Sequence, residues 1–188
     1  ISLNIVLAGK EDKKQVNIYI GNPDNNSFVK ERINTYDLRI DKNIRDEGYV
    51  LGIGNQGVVI GAESDAGILY GTISLKQLIF NNNNDLSEKY VFLPKLQIHD
   101  WPAMKIRGIH DDIARGQVST TENYKEIIRF LAEFKMNTLM IYFEDAFRFE
   151  QFPDIGRNRG ALTKAKIDEL EACARNYNVE IIPIFQLL

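Results

Sequence analysis

The sequence predicts an α/β protein in which a small α+β sandwich domain, residues 1–102, precedes the first strands and helices of a truncated (β/α)8 TIM barrel, residues 103–188. Three observations support this prediction. Short extended runs alternate with turns in the first part of the chain. A pattern of strand, helix, strand, helix and strand follows it. Polar side chains then collect where the later strands end, which is where barrel enzymes place their ligand sites.

The composition is that of an ordinary globular protein. The 188 residues include 44% hydrophobic and 26% charged positions, enough to bury the core of one large domain or two small ones. A formal charge of -3, without a basic run containing aromatic residues, argues against a nucleic-acid surface. No apolar run approaches a membrane span. The single Cys173 excludes an internal disulfide and a metal site built from several cysteines.

The two ends of the chain suggest a larger protein. The sequence VEIIPIFQLL stops in or just beyond a predicted strand with no helix after it. Because parallel sheets are normally covered on both faces, we expect the chain to be a fragment. It starts at Ile1 without a charged leader, so a targeting segment is expected to have been removed or to lie outside the sequence.

The first domain is predicted to be a sheet with one or two helices packed against it. We expect a short helix capped by Asp24, Asn26 or Ser27, and a longer helix capped by Ser64. The elements in chain order are the strands LNIVLAG and QVNIYIG, the helix SFVKERIN, the strands YVLGIG and GVVIGA, the helix DAGILYGTISLKQLIF and the strand VFLPKLQIHDWP.

Glycines give a second set of local predictions. Gly52, Gly54 and Gly57 spell G-x-G-x-x-G directly after a strand, but a dinucleotide site requires a helix next, and VVIGA is a strand. We therefore interpret these glycines as part of a β-hairpin. Gly67 and Gly71 stand inside a predicted helix, where glycine is unfavourable, and indicate close packing against a neighbouring element.

The second part of the chain predicts parallel strands joined by helices. The strands are IRGIH, TLMIYF and VEIIPIF, and the helices lie in VSTTENYKEIIRFLAEFK and TKAKIDELEACARNYN, with caps at residues 119–121 and at Thr163. A barrel and a doubly wound sheet both fit this order. No phosphate-binding glycine loop follows any of the three strands, which favours the barrel.

The polar residues of this second part predict a ligand site. They are His110, Asp111 and Asp112 after the first strand, Glu144 and Asp145 after the second, and Gln186 after the third. The long loop over residues 146–162 adds Phe147, Arg148, Phe149, Arg157 and Arg159. Aromatic rings together with hydrogen-bond donors are the mixture that a sugar or carboxylate ligand would use.

These motifs resemble those of the family 20 glycoside hydrolases, the β-N-acetylhexosaminidases, in which a small α+β domain precedes a (β/α)8 barrel. The similarity rests on EGYVLGI and DAGILYGTISLKQLI in the first domain, and on RGIHDDIAR and KMNTLMIYFED in the second. It implies retaining, exo-acting hydrolysis in which the acetamido group of the substrate attacks the anomeric carbon. The catalytic Asp-Glu pair of the family follows the fourth barrel strand, beyond this chain, so the fragment alone is expected to be inactive.

The resemblance also implies roles for individual residues. Arg107 matches the arginine that binds hydroxyls of the terminal sugar, with a buried ion pair as the structural alternative. Asp145 matches the aspartate that supports the general acid through a histidine, with a loop cap as its alternative. Glu144 and Asp111 are further candidates for sugar contact, or else partners of Arg107 or Arg115, or solvated groups.

The expected partner is a carbohydrate with a terminal N-acetylhexosamine, with no nucleic acid or membrane partner and no cofactor. A divalent cation in the acidic cluster is possible in principle, but the family needs none. A secreted or periplasmic location is implied by the resemblance alone.

The motifs also depart from the family pattern. Many members have His-x-His where this chain has Met140 and Tyr142, and Glu-x-Asp where it has Ile184 and Gln186. The chain therefore resembles a divergent branch. Two alternatives stay open: a related glycosidase of the O-GlcNAc hydrolase or α-glucuronidase type, and a carbohydrate-binding barrel without catalysis.

Overall fold

The computed structural model describes residues 16–82 and 93–186. The described residues up to Ala103 form one compact unit, and those from Met104 onward form a second. The strand predicted at residues 3–9 lies outside the described residues. Within the described ranges, no helix combines the length and the apolar character that crossing a membrane requires.

The first unit contains a four-stranded mixed sheet. Its elements are β1 (Ile18–Gly21), α1 (Ser27–Thr35), β2 (Tyr49–Gly54), β3 (Gly57–Gly61), α2 (Asp65–Asn82) and β4 (Leu96–Asp100). The strand order is β1-β3-β2-β4. Strand β1 runs parallel to β3, whereas β2 is antiparallel to both β3 and β4. The predicted hairpin is confirmed, since Gly54 pairs with Gly57 and a strand, not a helix, follows the glycine motif.

Helices cover both faces of this sheet. Val50 and Val59 pack with Val29 of α1, whereas the alternate residues Leu51 and Ile60 pack with α2. Because side chains along a strand alternate between faces, the two helices lie on opposite sides. The middle strands are therefore buried along nearly their whole length. Burial on both faces explains why the sequences of β2 and β3 are continuous apolar runs.

Local signals in the first unit are also confirmed. The Asn26 side chain caps α1 by accepting from the backbone N–H groups of Phe28 and Val29. The hydroxyl of Ser64 accepts from the N–H of Gly67 at the start of α2. A Cβ atom on Gly67 would lie 2.2 Å from the carbonyl oxygen of Gly48, so the helix and the sheet are in direct backbone contact there.

The second unit is a three-stranded parallel sheet with two helices. Its elements are β5 (Gly108–Asp112), a short 3-10 turn (Ile113–Arg115), α3 (Thr121–Glu133), β6 (Thr138–Tyr142), α4 (Lys164–Arg175) and β7 (Glu180–Ile184), with the strand order β5-β6-β7. Thr120 and Thr163 cap the helices. The prediction is confirmed as a mixed α/β fold with a parallel second sheet. Among the described residues this sheet is open and forms no closed barrel.

Strand β5 begins two residues later than predicted. The sequence placed it at residues 106–110, whereas the structure places it at Gly108–Asp112. The carbonyl of Arg107 accepts from the backbone N–H of Thr138, and a Cβ on Gly108 would lie 1.9 Å from the carbonyl oxygen of Thr138. Arg107 thus immediately precedes the strand, and Asp111 and Asp112 are its last two residues.

Candidate functional site

The carboxyl edge of the second sheet carries most of the predicted site residues. Glu144 lies two residues beyond β6, in a tight turn closed by a hydrogen bond from the N–H of Ala146 to the carbonyl of Phe143. Its φ of 43° is left-handed, a conformation that side chains other than glycine rarely adopt.

Tyr142 connects two strand ends at this edge. Its hydroxyl lies 2.7 Å from Oε1 of Glu144 and 2.8 Å from Oε1 of Gln186. Both oxygens accept from the phenol, which has a single proton to share between the Glu144 carboxylate and the Gln186 amide oxygen. The hydrogen bond to Glu144 raises the pKa of Tyr142, which keeps the phenol protonated as a donor.

Arg115 brings a positive charge to the same edge. Its guanidinium lies 3.6 Å from Asp112 and 3.9 Å from Glu144, and 74% of its side chain is exposed. At such distances and exposure, ion pairs contribute little to stability. The group therefore remains available to a ligand, and its planar fork of donors suits vicinal oxygen atoms.

Asp145 is held by an ion pair. Arg159 lies 3.2 Å from its Oδ1 atom and also donates to the carbonyl oxygen of Ala114, at 2.9 Å. The long loop after β6 is thereby fastened to the end of β5. This loop is also closed on itself, because Leu162 donates to the carbonyl of Ala146 and accepts from the N–H of Arg148.

Asp111 faces the helix layer. Its Oδ2 atom accepts from the hydroxyl of Tyr124, at 2.9 Å, and Tyr124 is fully buried in α3. Burial, reinforced by the hydrogen bond to this carboxylate, raises the pKa of Tyr124. Because faces alternate along β5, His110 and Asp112 lie on the opposite face from Asp111. Tyr142 pairs with Asp112 and shares that face.

Arg107 lies at the amino edge of the same sheet. Its guanidinium donates to the carbonyl oxygens of Lys135, at 2.9 Å, and Met104, at 2.7 Å. Its backbone N–H donates to the side chain of Asn137. A strand of five residues separates this edge from the edge that carries Glu144, so the structure does not bring Arg107 together with the other predicted site residues.

Sequence reasoning gave no binding role to Tyr142 or Arg115. In the sequence, Tyr142 stands out only as a departure from the family pattern. Arg115 stands out only as the last residue of the RGIHDDIAR motif and as a partner for carboxylates. The usable signal was position along the strand. Arg107 precedes Gly108, whereas Arg115 follows Asp112 and Tyr142 ends β6. In parallel strands, residues at the carboxyl end reach the ligand edge.

Phe147 and Phe149, the two aromatic residues predicted near the site, join Phe143 and Phe185 in a cluster of rings. Phe143, 2% exposed, stacks on Phe185 at a centroid distance of 5.3 Å and meets Phe147 edge to face. Phe149 packs on Phe147, and Phe149 and Phe185 both remain partly exposed. Within the described ranges, no group of three or more His, Cys, Asp or Glu side chains is arranged to hold a metal ion.

Comparison with known proteins relates the chain to hexosaminidases. A β-N-acetylhexosaminidase of Cellulomonas fimi is 32% identical over 100 residues, which cover 53% of this chain and 19% of the relative. A β-hexosaminidase of Vibrio furnissii is 29% identical over 130 residues, covering 65% of this chain and 20% of the relative. The chain thus spans about a fifth of the length of these curated relatives.

Solved structures show the same fold. The GH20 exo-β-N-acetylglucosaminidase of Vibrio harveyi, in complex with N-acetylglucosamine, matches with a TM-score of 0.70 at 20% identity and covers 90% of this chain and 32% of that chain. A mutant β-hexosaminidase of Streptomyces plicatus, in complex with its product N-acetylglucosamine (GlcNAc), matches with a TM-score of 0.67 at 20% identity, covering 88% of this chain and 40% of that chain.

The family assignment rests on the first unit. The sequence model for glycosyl hydrolase family 20, domain 2, matches residues 4–101, which is more than half of the chain. The matched region includes the hairpin and the helix α2, whose sequences carry the part of the resemblance that lies in the first domain. The chain therefore belongs to glycosyl hydrolase family 20.

Proposed function

We propose that this chain is the first part of a retaining exo-β-N-acetylhexosaminidase that removes terminal N-acetylhexosamine from glycans. In this proposal, residues 1–102 form the supporting domain, and residues 103–188 supply the first three strands of a (β/α)8 barrel. The family relationship and the fold shared with hexosaminidases support it. The catalytic Asp-Glu pair would follow a fourth strand beyond Leu188.

One observation carries the proposal. Four side chains from the ends of β5 and β6 meet at the carboxyl edge of the second sheet, where a barrel enzyme binds its ligand: Asp112, Arg115, Tyr142 and Glu144. The set combines two carboxylate acceptors, a guanidinium fork and a phenol. Hydrogen bonds of this kind, directed at vicinal hydroxyls, fix the orientation of a pyranose ring.

The proposed roles follow from placement. Arg115 and Glu144 contact hydroxyls of the terminal sugar, and Tyr142 orients Glu144. Asp145, held by Arg159, keeps the supporting role that the sequence suggested for it. Sugar contact by Arg107 and Asp111 stays a prediction. Their positions, at the amino edge and on the helix side, favour structural roles for both.

The chemistry of the whole enzyme would be substrate-assisted. The acetamido oxygen of the bound sugar attacks the anomeric carbon while a general acid protonates the departing glycosidic oxygen, and water then opens the cyclic intermediate with retention. The residues of this chain would hold the sugar ring in place during both steps. Binding energy applied to the hydroxyls in this way contributes to positioning at the reacting carbon.

Binding of GlcNAc tests the part of the proposal that this chain can perform. Arg115→Ala should weaken binding about tenfold, because the group makes charge-assisted hydrogen bonds. The matched control is Arg157→Ala, which removes an exposed arginine paired with Asp154 and should leave the affinity unchanged. Isothermal titration calorimetry measures both. Equal affinities for the wild type and Arg115→Ala would contradict the proposed contact.

The reaction itself is tested on the longer protein that the proposal implies. It should release p-nitrophenol from p-nitrophenyl N-acetyl-β-glucosaminide. A protein that binds GlcNAc at this edge but shows no release would instead support the alternative of a carbohydrate-binding barrel without catalysis.

A further inference from the structure

A groove in the first unit has features of a second carbohydrate site. It is a shallow, open groove of about 640 Å³, and it lies where the β2–β3 hairpin, the end of α1 and the start of β4 meet. This volume is within the range of known ligand pockets. The groove is lined by Thr35, Tyr36, Ile53, Gly54, Asn55, Gln56, Lys95, Leu96 and Gln97.

The ring of Tyr36 packs against the backbone of Gly52 and Gly54 at this groove. A Cβ atom on Gly52 or on Gly54 would lie 2.8 Å from a carbon of the Tyr36 ring, so any side chain there would displace the ring. The Tyr36 hydroxyl donates to the carbonyl of Gly57 and accepts from the N–H of Gln56. The two glycines of the G-x-G pair thus provide a flat surface that supports a fixed aromatic ring.

Polar groups without partners surround the ring. Asn55 and Lys95 make no hydrogen bond or ion pair with any described residue. Gln97 uses its amide nitrogen on the carbonyl of Tyr36, and Gln56 uses its amide oxygen on Arg32. Their remaining amide atoms have no partner in the described ranges. None of the nine lining residues is acidic, so the groove offers neutral donors and acceptors, one ammonium group and an aromatic ring.

We propose that this groove binds a neutral oligosaccharide, with one pyranose ring over Tyr36 and its hydroxyl or acetamido groups bonded to Asn55, Gln56, Lys95 and Gln97. Apolar C–H groups of the sugar pack on the aromatic ring while amides pair with its polar substituents. All of its lining residues belong to the first unit. The choice of an N-acetylhexosamine chain as ligand rests on the proposed function.

The test uses chitotetraose and the complete 188-residue chain. Binding is followed by NMR, with the backbone amides of Asn55, Gln56 and Gly57 as reporters. The double variant Asn55→Ala, Lys95→Ala should weaken binding at these reporters about tenfold, since two ligand hydrogen bonds are lost. Both side chains are free of described internal bonds, so the variant should fold normally. Unchanged affinity in this variant, or no shift of the reporters in the wild type, overturns the proposal.

Two further variants separate the aromatic contact from stability. Tyr36→Phe keeps the ring but loses its bonds to the hairpin, so it should be less stable and still bind. Tyr36→Leu removes the aromatic face and should lose binding; if it does not fold, the Asn55/Lys95 variant decides. Arg115→Ala, in the second unit, should leave the groove reporters unaffected. Loss of their response in Arg115→Ala alone overturns the groove proposal while leaving the proposed function standing.

Discussion

The two units of this chain use their sheets differently. In the first unit the middle strands are covered on both faces, and most of their residues are fully buried. In the second unit Leu139 and Ile141 are fully buried, whereas their neighbours Met140 and Tyr142 on the other face are partly exposed. The first sheet therefore forms a closed core, and the second presents one face and one edge with polar side chains. Residues of the first sheet therefore mainly stabilise the fold, whereas the exposed polar residues of the second sheet are accessible to a ligand.

The largest expected effect comes from the contact between α2 and the first sheet. Gly67→Ala should lower the free energy of unfolding of the first unit by about 3 kcal/mol, since the new methyl would overlap the backbone carbonyl of Gly48. Chemical denaturation measures the effect. Asn81→Ala, at an exposed position of the same helix, is the control and should change stability by about 0.5 kcal/mol or less. If both variants changed the free energy of unfolding by the same amount, the close contact between Gly67 and the Gly48 carbonyl would be contradicted.

The next effect concerns the buried phenol beneath the second sheet. Tyr124→Phe should cost about 2 kcal/mol, because the Asp111 carboxylate loses its donor. The pKa of Tyr124 is raised in the folded protein, so its stabilising contribution is complete below the unfolded pKa of about 10 and declines as the pH rises above it. Urea unfolding from pH 8 to pH 10.5 should show the gap between wild type and variant narrowing. A constant gap would contradict this account.

Arg107 and Arg115 compare the two edges of the second sheet directly. Arg107→Ala should lower stability by about 1 to 2 kcal/mol through lost bonds to carbonyl groups, with no effect on GlcNAc affinity. Arg115→Ala should weaken GlcNAc binding and leave the free energy of unfolding nearly unchanged. Thermal unfolding and calorimetric titration of both variants measure the contrast. A folded Arg107→Ala protein with lost affinity would restore the role that the sequence suggested for Arg107.

The smallest effect is expected at Tyr142. Its partners are exposed, so Tyr142→Phe should change the free energy of unfolding by about 0.5 kcal/mol or less. GlcNAc affinity should fall about threefold, because Glu144 loses the bond that orients it. Titration calorimetry and thermal unfolding on the same sample separate the two effects. An affinity loss matched by an equal stability loss would indicate a purely structural role.

The sequence by itself determined the elements and their order. Apolar periodicity located the helices and β-branched runs located the described strands. Thr163 marked the start of α4, and Asn26 was one of three cap candidates for α1. The hairpin interpretation of the G-x-G-x-x-G motif was also correct, because the residues after it cannot begin a helix. Helix caps, apolar periodicity and the hairpin turn all depend on residues close together in the sequence, so they can be predicted without knowledge of the tertiary structure.

Only the tertiary structure decided which polar groups meet. Strand β5 begins at Gly108, so Arg107 precedes it, and the packing of α3 on the sheet brings Tyr124 against Asp111. The contacts of Tyr142 with Gln186, and of Arg159 with Asp145, join residues from different strand ends and loops. Strand register and side-chain direction arise from packing between distant segments, and a one-residue change reverses the face that a side chain occupies.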